Sequence, residues 1–212
     1  MSSERLLNLV ILIPVLLFSM MLHELAHGWT AYRLGDPTAK QRGRLSFNPL
    51  RHLDPLGTAM FILTYLFSGF VFGWAKPIPV SPYYFKDRQR GMAIVGAAGP
   101  ITNLILAVIF ALILNWITPP TNSWVFTVLF LLFQINVVLG LFNLIPIPPL
   151  DGSRVLGAFL PRGAYEKWVA VDRYGMLIVI VVIILFQSSF FRLLGGALLG
   201  LARVLLTNYT FL

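Results

Sequence analysis

The sequence predicts an all-α, multi-pass membrane protein, and three observations support this fold class. Of the 212 residues, 58% are hydrophobic and only 11% are charged, whereas about a quarter of the residues in soluble domains are charged. The mean hydropathy is +0.81. Several uncharged stretches also reach the roughly 20 residues that a spanning helix needs. We therefore expect a single integral-membrane domain over residues 1–212, with about four to six membrane segments.

The first predicted span covers residues 6–32. Its charge-free apolar run follows Glu4 and Arg5 and has the composition of a secretory signal peptide, but no small-residue cleavage site follows it. The run instead leads directly into His23-Glu24-Leu25-Ala26-His27. We therefore predict one retained helix, bent at Pro14 because proline cannot complete the helical hydrogen bonds.

Two further spans lie in the longest neutral tract, residues 91–150, which carries no charge over 60 residues. Spans at 91–117 and 124–144 fit this tract and are joined by a turn rich in Pro, Thr and Ser. The second span ends in the segment Asn143-Leu-Ile-Pro-Ile-Pro-Pro-Leu-Asp-Gly152. Its three prolines cannot continue a helix, so we predict extended chain there.

The last predicted segments lie beyond this tract. Residues 174–191 are rich in Ile and Val and carry no charge, and we predict a fourth span there. The tail at 193–212 contains three glycines and Arg203. It fits either a last span or an interfacial helix, and both interpretations stay open.

The net charge and the absence of cysteine narrow the function classes. The formal net charge is +8, but excess Lys and Arg in membrane proteins usually lie in cytoplasmic loops. We interpret the charge in this way and expect membrane lipid, not nucleic acid, as the partner of the basic loops. The chain has no cysteine, so it forms no disulfide, and any metal must be bound by His, Asp or Glu.

The motif His23-Glu24-x-x-His27 carries the first functional signal. Residues four apart on a helix share one face, so the two imidazoles are able to bind one metal ion, with Glu24 beside them as general base. With three His and three Glu in the chain, chance would produce this motif in only about six of ten thousand such sequences. The alternative is a helix that ends near Leu22 and leaves a solvated His-Glu-His face at the membrane surface.

The H-E-x-x-H motif is typical of zinc hydrolases, which usually have a third protein ligand. In this chain, that ligand must be a carboxylate or the remaining imidazole, His52. Asp151 is the better candidate because it is the first charge after the neutral tract and follows a proline-broken span end. Broken helices at membrane depth often line binding cavities. On the residues alone, Asp151 followed by Gly152 also fits an ordinary helix N-cap.

Together, H-E-L-A-H at 23–27 and N-x-x-P-x-P-x-L-D-G at 143–152 resemble the site-2 protease family of intramembrane zinc metalloproteases, in a compact form without an appended regulatory domain. The resemblance covers nearly the whole chain. It implies a three-helix catalytic core with a small re-entrant β element. It also implies that Asp151 is the third ligand of one Zn²⁺, and that the substrate is the transmembrane segment of a single-pass protein.

The same resemblance assigns roles to two asparagines. Asn143, which opens the second motif, is implied to assist substrate or oxyanion binding. Gly99-Pro-Ile-Thr-Asn103 looks like the family's G-P-x-x-N element, which places Asn103 on a core helix facing the site, as a second candidate for substrate or oxyanion binding. The alternative for both residues is interhelical hydrogen bonding, worth about 0.6 kcal/mol in membrane helix pairs.

The meeting of these ligands constrains the topology of residues 55–75. If this segment crossed the bilayer, three crossings would separate His27 from Asp151, and the two would lie on opposite sides. We therefore predict a re-entrant or hairpin segment. The basic segments, at 33–54, 76–90 and 154–173, then share one side and hold 13 of the 16 Lys and Arg residues. The positive-inside rule makes this side cytoplasmic, so we expect a prokaryotic cell-membrane protein whose active site opens to the cytoplasm.

The polar loops carry two more expectations. The stretches 44–47 and 75–80 are suited to capturing an unwound substrate by strand addition, or else they are simple loop strands. His52 and Asp54 are candidates for gating the metal site or orienting a neighbour. The alternative is an interfacial His52 that is hydrogen-bonded to its own loop, with Asp54 as the partner.

These observations predict a zinc metalloendopeptidase of the membrane. Two alternatives remain open. A metal transporter would need polar residues along a complete path, whereas the outer half of every predicted span is apolar. A membrane protein that binds metal without proteolytic activity would differ only in turnover. The physiological substrate and the oligomeric state are left open by the sequence.

Overall fold

The computed structural model describes residues 3–68 and 73–209. Within these residues the chain forms α-helices and no strand, which confirms the all-α fold class. Five segments are long and apolar enough to cross a membrane, in agreement with a multi-pass protein: Leu9–Arg33, Arg88–Ile117, Trp124–Asn143, Arg162–Leu185 and Gln187–Leu205. The helices are α1 (Ser3–Arg33), α2 (Thr38–Gln41), α3 (Pro55–Ser68), α4 (Arg88–Ile117), α5 (Trp124–Asn143), α6 (Asp151–Gly157), α7 (Arg162–Ala170), α8 (Gly175–Leu185) and α9 (Gln187–Leu205).

Helices α1, α4 and α5 pack on one another and lie where the first three spans are predicted. Local capping explains where two of them begin. The Asp87 side chain accepts a hydrogen bond from the Arg90 N–H at the start of α4, and Ser123 accepts one from the Phe126 N–H at the start of α5. Such caps satisfy N–H groups that have no partner within the helix.

The segment predicted as a fourth span, 174–191, is not one helix. Helix α8 ends at Leu185 and α9 begins at Gln187, so the last six residues of the prediction lie at or beyond the break. The break coincides with the polar run Gln187-Ser188-Ser189, and serine favours helix ends because its hydroxyl competes for backbone hydrogen bonds. Of the predicted tail at 193–212, residues 193–205 belong to α9, and residues 210–212 lie outside the described part of the chain.

The segment predicted as re-entrant, 55–75, begins with helix α3, and its last residues lie close to the start of that helix. Helix α3 has 14 residues, a rise of about 21 Å, which is shorter than the roughly 30 Å of a bilayer's hydrocarbon core. Residues 69–72, which include Gly69, lie outside the described residues. The chain is next described at Gly73, close to the start of α3, where a Cβ on Gly57 would collide with the backbone oxygen of Trp74.

The stretch 74–80 is extended but is not a β-strand, because it pairs with no other strand among the described residues. Two of its residues, Pro77 and Pro79, have no N–H to donate to a ladder. Neighbouring N–H groups bind side chains instead: the Ile78 N–H donates to Glu24 and the Ser81 N–H donates to the buried carboxylate of Asp36. The stretch 44–47 likewise has no strand partner among described residues.

Helix α4 lies at the centre of the molecule, with α1, α5 and α6 packed around it. Glycine makes the contact with α6 possible, because a Cβ on Gly96 would lie 2.7 Å from the Cβ of Arg154 and 3.0 Å from the backbone oxygen of Asp151. This close approach holds the first turn of α6 beside α4, at the level where α1 carries its histidines.

Candidate metal centre and active-site cavity

The structure brings together the three residues predicted as metal ligands. His23 and His27 lie one turn apart on α1, and Asp151 is the first residue of α6. The Nε2 atoms of the two histidines are 3.0 Å apart. The Oδ2 atom of Asp151 lies 3.1 Å from Nε2 of His23 and 3.3 Å from Nε2 of His27. Three potential ligand atoms from two elements therefore face one point.

The spacing of these atoms fits a tetrahedral zinc ion. Zinc–nitrogen bonds of about 2.0–2.1 Å in tetrahedral geometry place neighbouring ligand atoms roughly 3.3 Å apart, close to the three separations given above. In the part of the chain that the structure describes, His23, His27 and Asp151 form the one group of three such residues whose ligand atoms converge. The donor set of two imidazoles and one carboxylate is typical of catalytic rather than structural zinc sites.

Hydrogen bonds fix the orientation of both imidazoles. Nδ1 of His27 lies 2.7 Å from the carbonyl oxygen of Val95, and Nδ1 of His23 lies 2.5 Å from Oδ1 of Asn103. Both partners are acceptors, so each imidazole carries its proton on Nδ1 and turns the lone pair of Nε2 toward Asp151. This tautomer is the one that binds metal, and outer partners of this kind typically raise metal affinity.

The Asn103 contact continues into the bundle as a buried polar network. The Asn103 amide donates to Oδ1 of Asn136 at 2.8 Å, and the Asn136 amide donates to the Ser19 hydroxyl at 2.9 Å. Ser19, Asn103 and Asn136 are completely buried and come from α1, α4 and α5 respectively. The network therefore ties all three core helices to the position of His23.

Sequence analysis missed Asn136, although a signal was available. An amide within an apolar span is unfavourable unless it is hydrogen-bonded, so any Asn in the span at 124–144 needs a partner. The sequence did not indicate which partner, because Asn136 lies outside both the G-P-x-x-N element and the motif that opens at Asn143. The Val95 carbonyl, a backbone group, leaves no signal in the sequence.

Gly99 allows the imidazoles to approach α4. A Cβ at this position would lie 2.5 Å from Nε2 of His27 and 2.6 Å from Cε1 of His23. Next to Asp151, a Cβ on Gly152 would collide with the backbone of Leu144. The G-P-x-x-N and L-D-G elements thus contain glycines because backbone and side chains meet there without room for a methyl group.

Glu24, the predicted general base, lies on the same turn of α1 and is half-buried. Its Oε2 atom accepts a hydrogen bond of 2.7 Å from the Ile78 N–H. Ile78 stands between Pro77 and Pro79, so its N–H is the single backbone donor of those three residues. The Pro-Ile-Pro segment therefore holds one carboxylate oxygen of Glu24 and leaves the other free.

His23, Glu24 and Asn143 open onto a cavity of about 570 Å³. The rest of its wall is largely apolar and comes from α1, α3, residues 73–75, α5, α8 and α9, with Phe61, Met176 and Phe191 as examples. Such a cavity, apolar with a few convergent polar groups, is typical of a binding site.

The two predicted asparagines occupy different positions. Asn143 lies on the cavity wall and donates to the Leu139 carbonyl at 3.0 Å. Asn103 is completely buried and contacts His23, so it does not face a bound substrate. The geometry therefore fits a positioning role for Asn103 in place of the substrate or oxyanion role expected from sequence.

His52 and Asp54 do not belong to the converging ligand group. His52 is 2% exposed, and its Nε2 lies 2.8 Å from the carbonyl oxygen of Ser46. Asp54 instead accepts a hydrogen bond from the Gly57 N–H and caps α3. The predicted hydrogen bond of His52 to its own loop is present, but its partner is Ser46, because Asp54 is used by the helix that follows.

Comparison with known sequences gives one family and several relatives. The sequence model of Peptidase family M50 matches residues 11–119 and 119–186. The chain is 39% identical over 180 residues to "Putative zinc metalloprotease YwhC" of Bacillus subtilis (strain 168), covering 82% of this chain and 80% of that protein. It is 32% identical over 178 residues to "Putative zinc metalloprotease Rip2" of Mycolicibacterium smegmatis, covering 82% and 67%. No solved structure gives a significant match.

Proposed function

Because this chain belongs to Peptidase family M50, the site-2 protease family of membrane metalloproteases, we propose that it hydrolyses a peptide bond within the transmembrane segment of a single-pass membrane protein. The observation that carries the proposal is the convergence of His23, His27 and Asp151 beside Glu24, on a wall of the apolar cavity. The two histidines and Glu24 lie within a helix apolar enough to span a membrane.

In this proposal, His23, His27 and Asp151 hold one Zn²⁺ per chain. The fit of the donor set and the tautomers fixed by Val95 and Asn103 support the assignment. Bound zinc would polarise the scissile carbonyl and lower the pKa of a water molecule to about 7.

Glu24 acts as the general acid and base. The carboxylate oxygen that is not bound to Ile78 takes a proton from the attacking water and delivers it to the leaving nitrogen. The Ile78 N–H keeps the carboxylate in position during both transfers. Asn143, on the cavity wall, donates to the carbonyl oxygen as negative charge develops there, and Asn103 fixes the orientation of His23.

The substrate must unwind before it is cleaved, because the peptide bonds of a transmembrane helix lie within its own hydrogen bonds. The apolar wall of the cavity suits such a segment. The extended stretch 74–80 borders Glu24 and runs past the cavity at Trp74 and Ala75, where it is suited to hold the unwound chain.

We further propose that residues 55–75 form a hairpin that does not cross the bilayer and that the active site opens to the cytoplasm of a prokaryotic cell. The return of the chain to the start of α3 supports this topology. This topology places 13 of the 16 Lys and Arg residues on one side of the membrane. By the positive-inside rule, this supports a cytoplasmic location for that side and for the active site. The same basic loops would contact anionic lipid.

Replacement of the base tests the activity. Glu24→Gln should retain zinc and lose cleavage of a model transmembrane substrate, measured on purified protein in detergent or liposomes. Glu166→Gln is the matched control, because Glu166 is exposed on α7 and should leave cleavage unchanged. Zinc binding without cleavage by the wild-type chain would favour the alternative of a membrane metal-binding or transport protein.

Cysteine labelling tests the topology in a chain that has no native cysteine. Gln41→Cys and Lys86→Cys flank the hairpin on exposed positions, and Asn122→Cys lies in the turn between α4 and α5. An impermeant reagent should label the first two from the cytoplasmic face and Asn122→Cys from the opposite face. Labelling of Gln41→Cys and Lys86→Cys from different faces would contradict the hairpin.

A further inference from the structure

The cavity extends well beyond the metal centre. Its walls include residues from Leu12 to Glu24 on α1 and from Leu131 to Asn143 on α5. The two ends of each stretch are twelve residues apart, which corresponds to a length of about 18 Å along the helix axis. The metal ligands lie at one end of this length, so most of the cavity is available to parts of a substrate that are distant from the scissile bond.

Gln134 is a polar group far from the metal centre on this otherwise apolar wall. It lies on α5, half-buried, and lines the cavity. It precedes Asn143 by nine residues, which places it about 13 Å further along the helix axis. Among the described residues its side-chain amide has no hydrogen-bond partner, unlike the amide of Asn136 two residues later, which binds Ser19.

An amide without partners is unfavourable in an apolar environment, where burial of such a group costs about 1–3 kcal/mol on the scale of protein mutations. Asn136 avoids this cost through the buried network, whereas Gln134 faces the space that a substrate would fill. A few polar groups placed in an apolar cavity typically fix the orientation of the ligand and determine its specificity.

The chemistry of cleavage indicates the conformation of the occupant. The peptide bonds of a helix lie within its own hydrogen bonds, so the substrate must be unwound around the bond that is cleaved. An unwound, extended chain rises about 3.3 Å per residue. At that rise, the 13 Å between Asn143 and Gln134 corresponds to about four substrate residues.

We propose that Gln134 is a substrate-specificity residue that hydrogen-bonds an uncharged polar side chain, such as Asn, Gln, Ser or Thr, about four residues from the scissile bond. This inference rests on the proposed proteolytic function and names a feature of its substrates. From the scissile bond, the substrate extends in one direction toward Leu131. The polar side chain that Gln134 recognises lies on this side of the bond. A polar side chain there replaces water or lipid as the partner of the Gln134 amide.

The test uses the full-length chain and a series of single-pass substrates with one cleavage site. Each substrate has an apolar transmembrane segment in which a single Asn is placed between two and nine residues from the scissile bond, on either side. The wild-type chain should cleave the substrate with Asn at the fourth residue on one side about three- to tenfold faster than the all-apolar substrate, as judged by kcat/KM. The gain should appear in KM.

Gln134→Met removes the hydrogen bonds and keeps the length of the side chain. It should abolish the preference for Asn at the fourth residue while leaving cleavage of the all-apolar substrate and zinc content unchanged. Leu131→Met, on the same cavity wall, is the matched control and should keep the preference. A variant that slowed all substrates alike would overturn the proposal, because that result indicates a structural role.

Two more outcomes separate this inference from the proposed function. Equal cleavage of every substrate by the wild-type chain, or a maximum at the ninth residue as expected for a helical occupant, would overturn the inference alone. Failure of the zinc-loaded wild-type chain to cleave any substrate would overturn the proteolytic function, and this inference with it.

Discussion

The metal centre and helix α9 are both parts of the cavity wall, but they are packed in opposite ways. At the metal centre, an added methyl group on Gly99 would meet both imidazoles, and Ser19, Asn103 and Asn136 are completely buried. On α9, a Cβ on Gly196 or Gly200 would meet no atom within 4 Å. Both glycines are exposed, and neither lines the cavity. The side chains at the metal centre are therefore held in fixed positions, whereas α9 has room for larger side chains at these two positions.

The largest effect is expected for Gly99→Ala. The new methyl group would lie 2.5 Å from Nε2 of His27, and the ring cannot move aside without breaking its hydrogen bond to the Val95 carbonyl. We expect zinc affinity to fall on the order of 100-fold or more, at the upper end of losses seen when the surroundings of a metal site are changed. Competition with a chromophoric chelator measures this affinity.

Gly196→Ala serves as the control for the same substitution in a helix that is open at that position. Wild-type zinc affinity in Gly99→Ala would contradict the close approach of α4 to the imidazoles. The comparison uses one chemical change at two sites, so general effects of alanine on helix stability cancel.

The second effect concerns the buried network. Asn103→Leu leaves Nδ1 of His23 without its acceptor, and we expect a 10- to 100-fold loss of zinc affinity, as for other outer partners of metal-bound histidine. Asn136 lies one hydrogen bond further from His23. Asn136→Leu should therefore lower zinc affinity only about threefold, the factor that corresponds to about 0.6 kcal/mol. The measurement is the same chelator competition, combined with thermal unfolding.

Asn115→Leu is the matched control on α4. Asn115 bonds the Leu205 carbonyl at 2.5 Å and contacts Asn208, at the end of α4 away from the metal centre. It should lower thermal stability without changing zinc affinity. Equal effects of Asn103→Leu and Asn115→Leu on zinc would indicate that Asn103 is only an interhelical contact.

The two regions also differ in how far the sequence predicted them. The spacing of His23, Glu24 and His27 on a helix predicted the histidine pair and the base. The position of Asp151 made it the better candidate for the third ligand, and the resemblance to the site-2 protease family decided between a ligand and a helix N-cap. Sequence patterns of this kind are informative because the ligands are charged or polar groups in apolar surroundings, where each needs a partner or a function.

The remaining features depend on contacts between distant segments. The break at Phe186 precedes Gln187, Ser188 and Ser189, which are polar but uncharged. The absence of charge therefore extended the predicted span to residue 191. The expected strand at 75–80 did not form, because the Ile78 N–H binds Glu24 and the Lys76 N–H binds the His52 carbonyl rather than a second strand. Asn136 gained its role only through packing of α1, α4 and α5, which no local pattern specifies.

A smaller effect is expected where the extended stretch meets the catalytic base. Ile78→Pro removes the N–H that binds Glu24, whereas Ile78→Ala keeps it, and both variants lose the Ile side chain that packs against Gly28. The difference between them measures the loss of the hydrogen bond together with the ring carbon that proline places on this nitrogen. We expect kcat to be about tenfold lower in Ile78→Pro than in Ile78→Ala, the lower end for a hydrogen bond to a charged group, with similar KM. Equal kcat values would show that the contact does not position the base.

The smallest effect is expected for the double substitution Gly196→Ala and Gly200→Ala on α9. Since a Cβ meets no atom at either position, the added methyl groups should stabilise the helix by about 0.5–1 kcal/mol each, the usual difference between glycine and alanine within helices. Zinc affinity and cleavage should stay at the wild-type level, and the apparent melting temperature should rise slightly. A lower melting temperature would show that α9 packs against another helix through these glycines, because small residues four apart allow close helix contact in membranes.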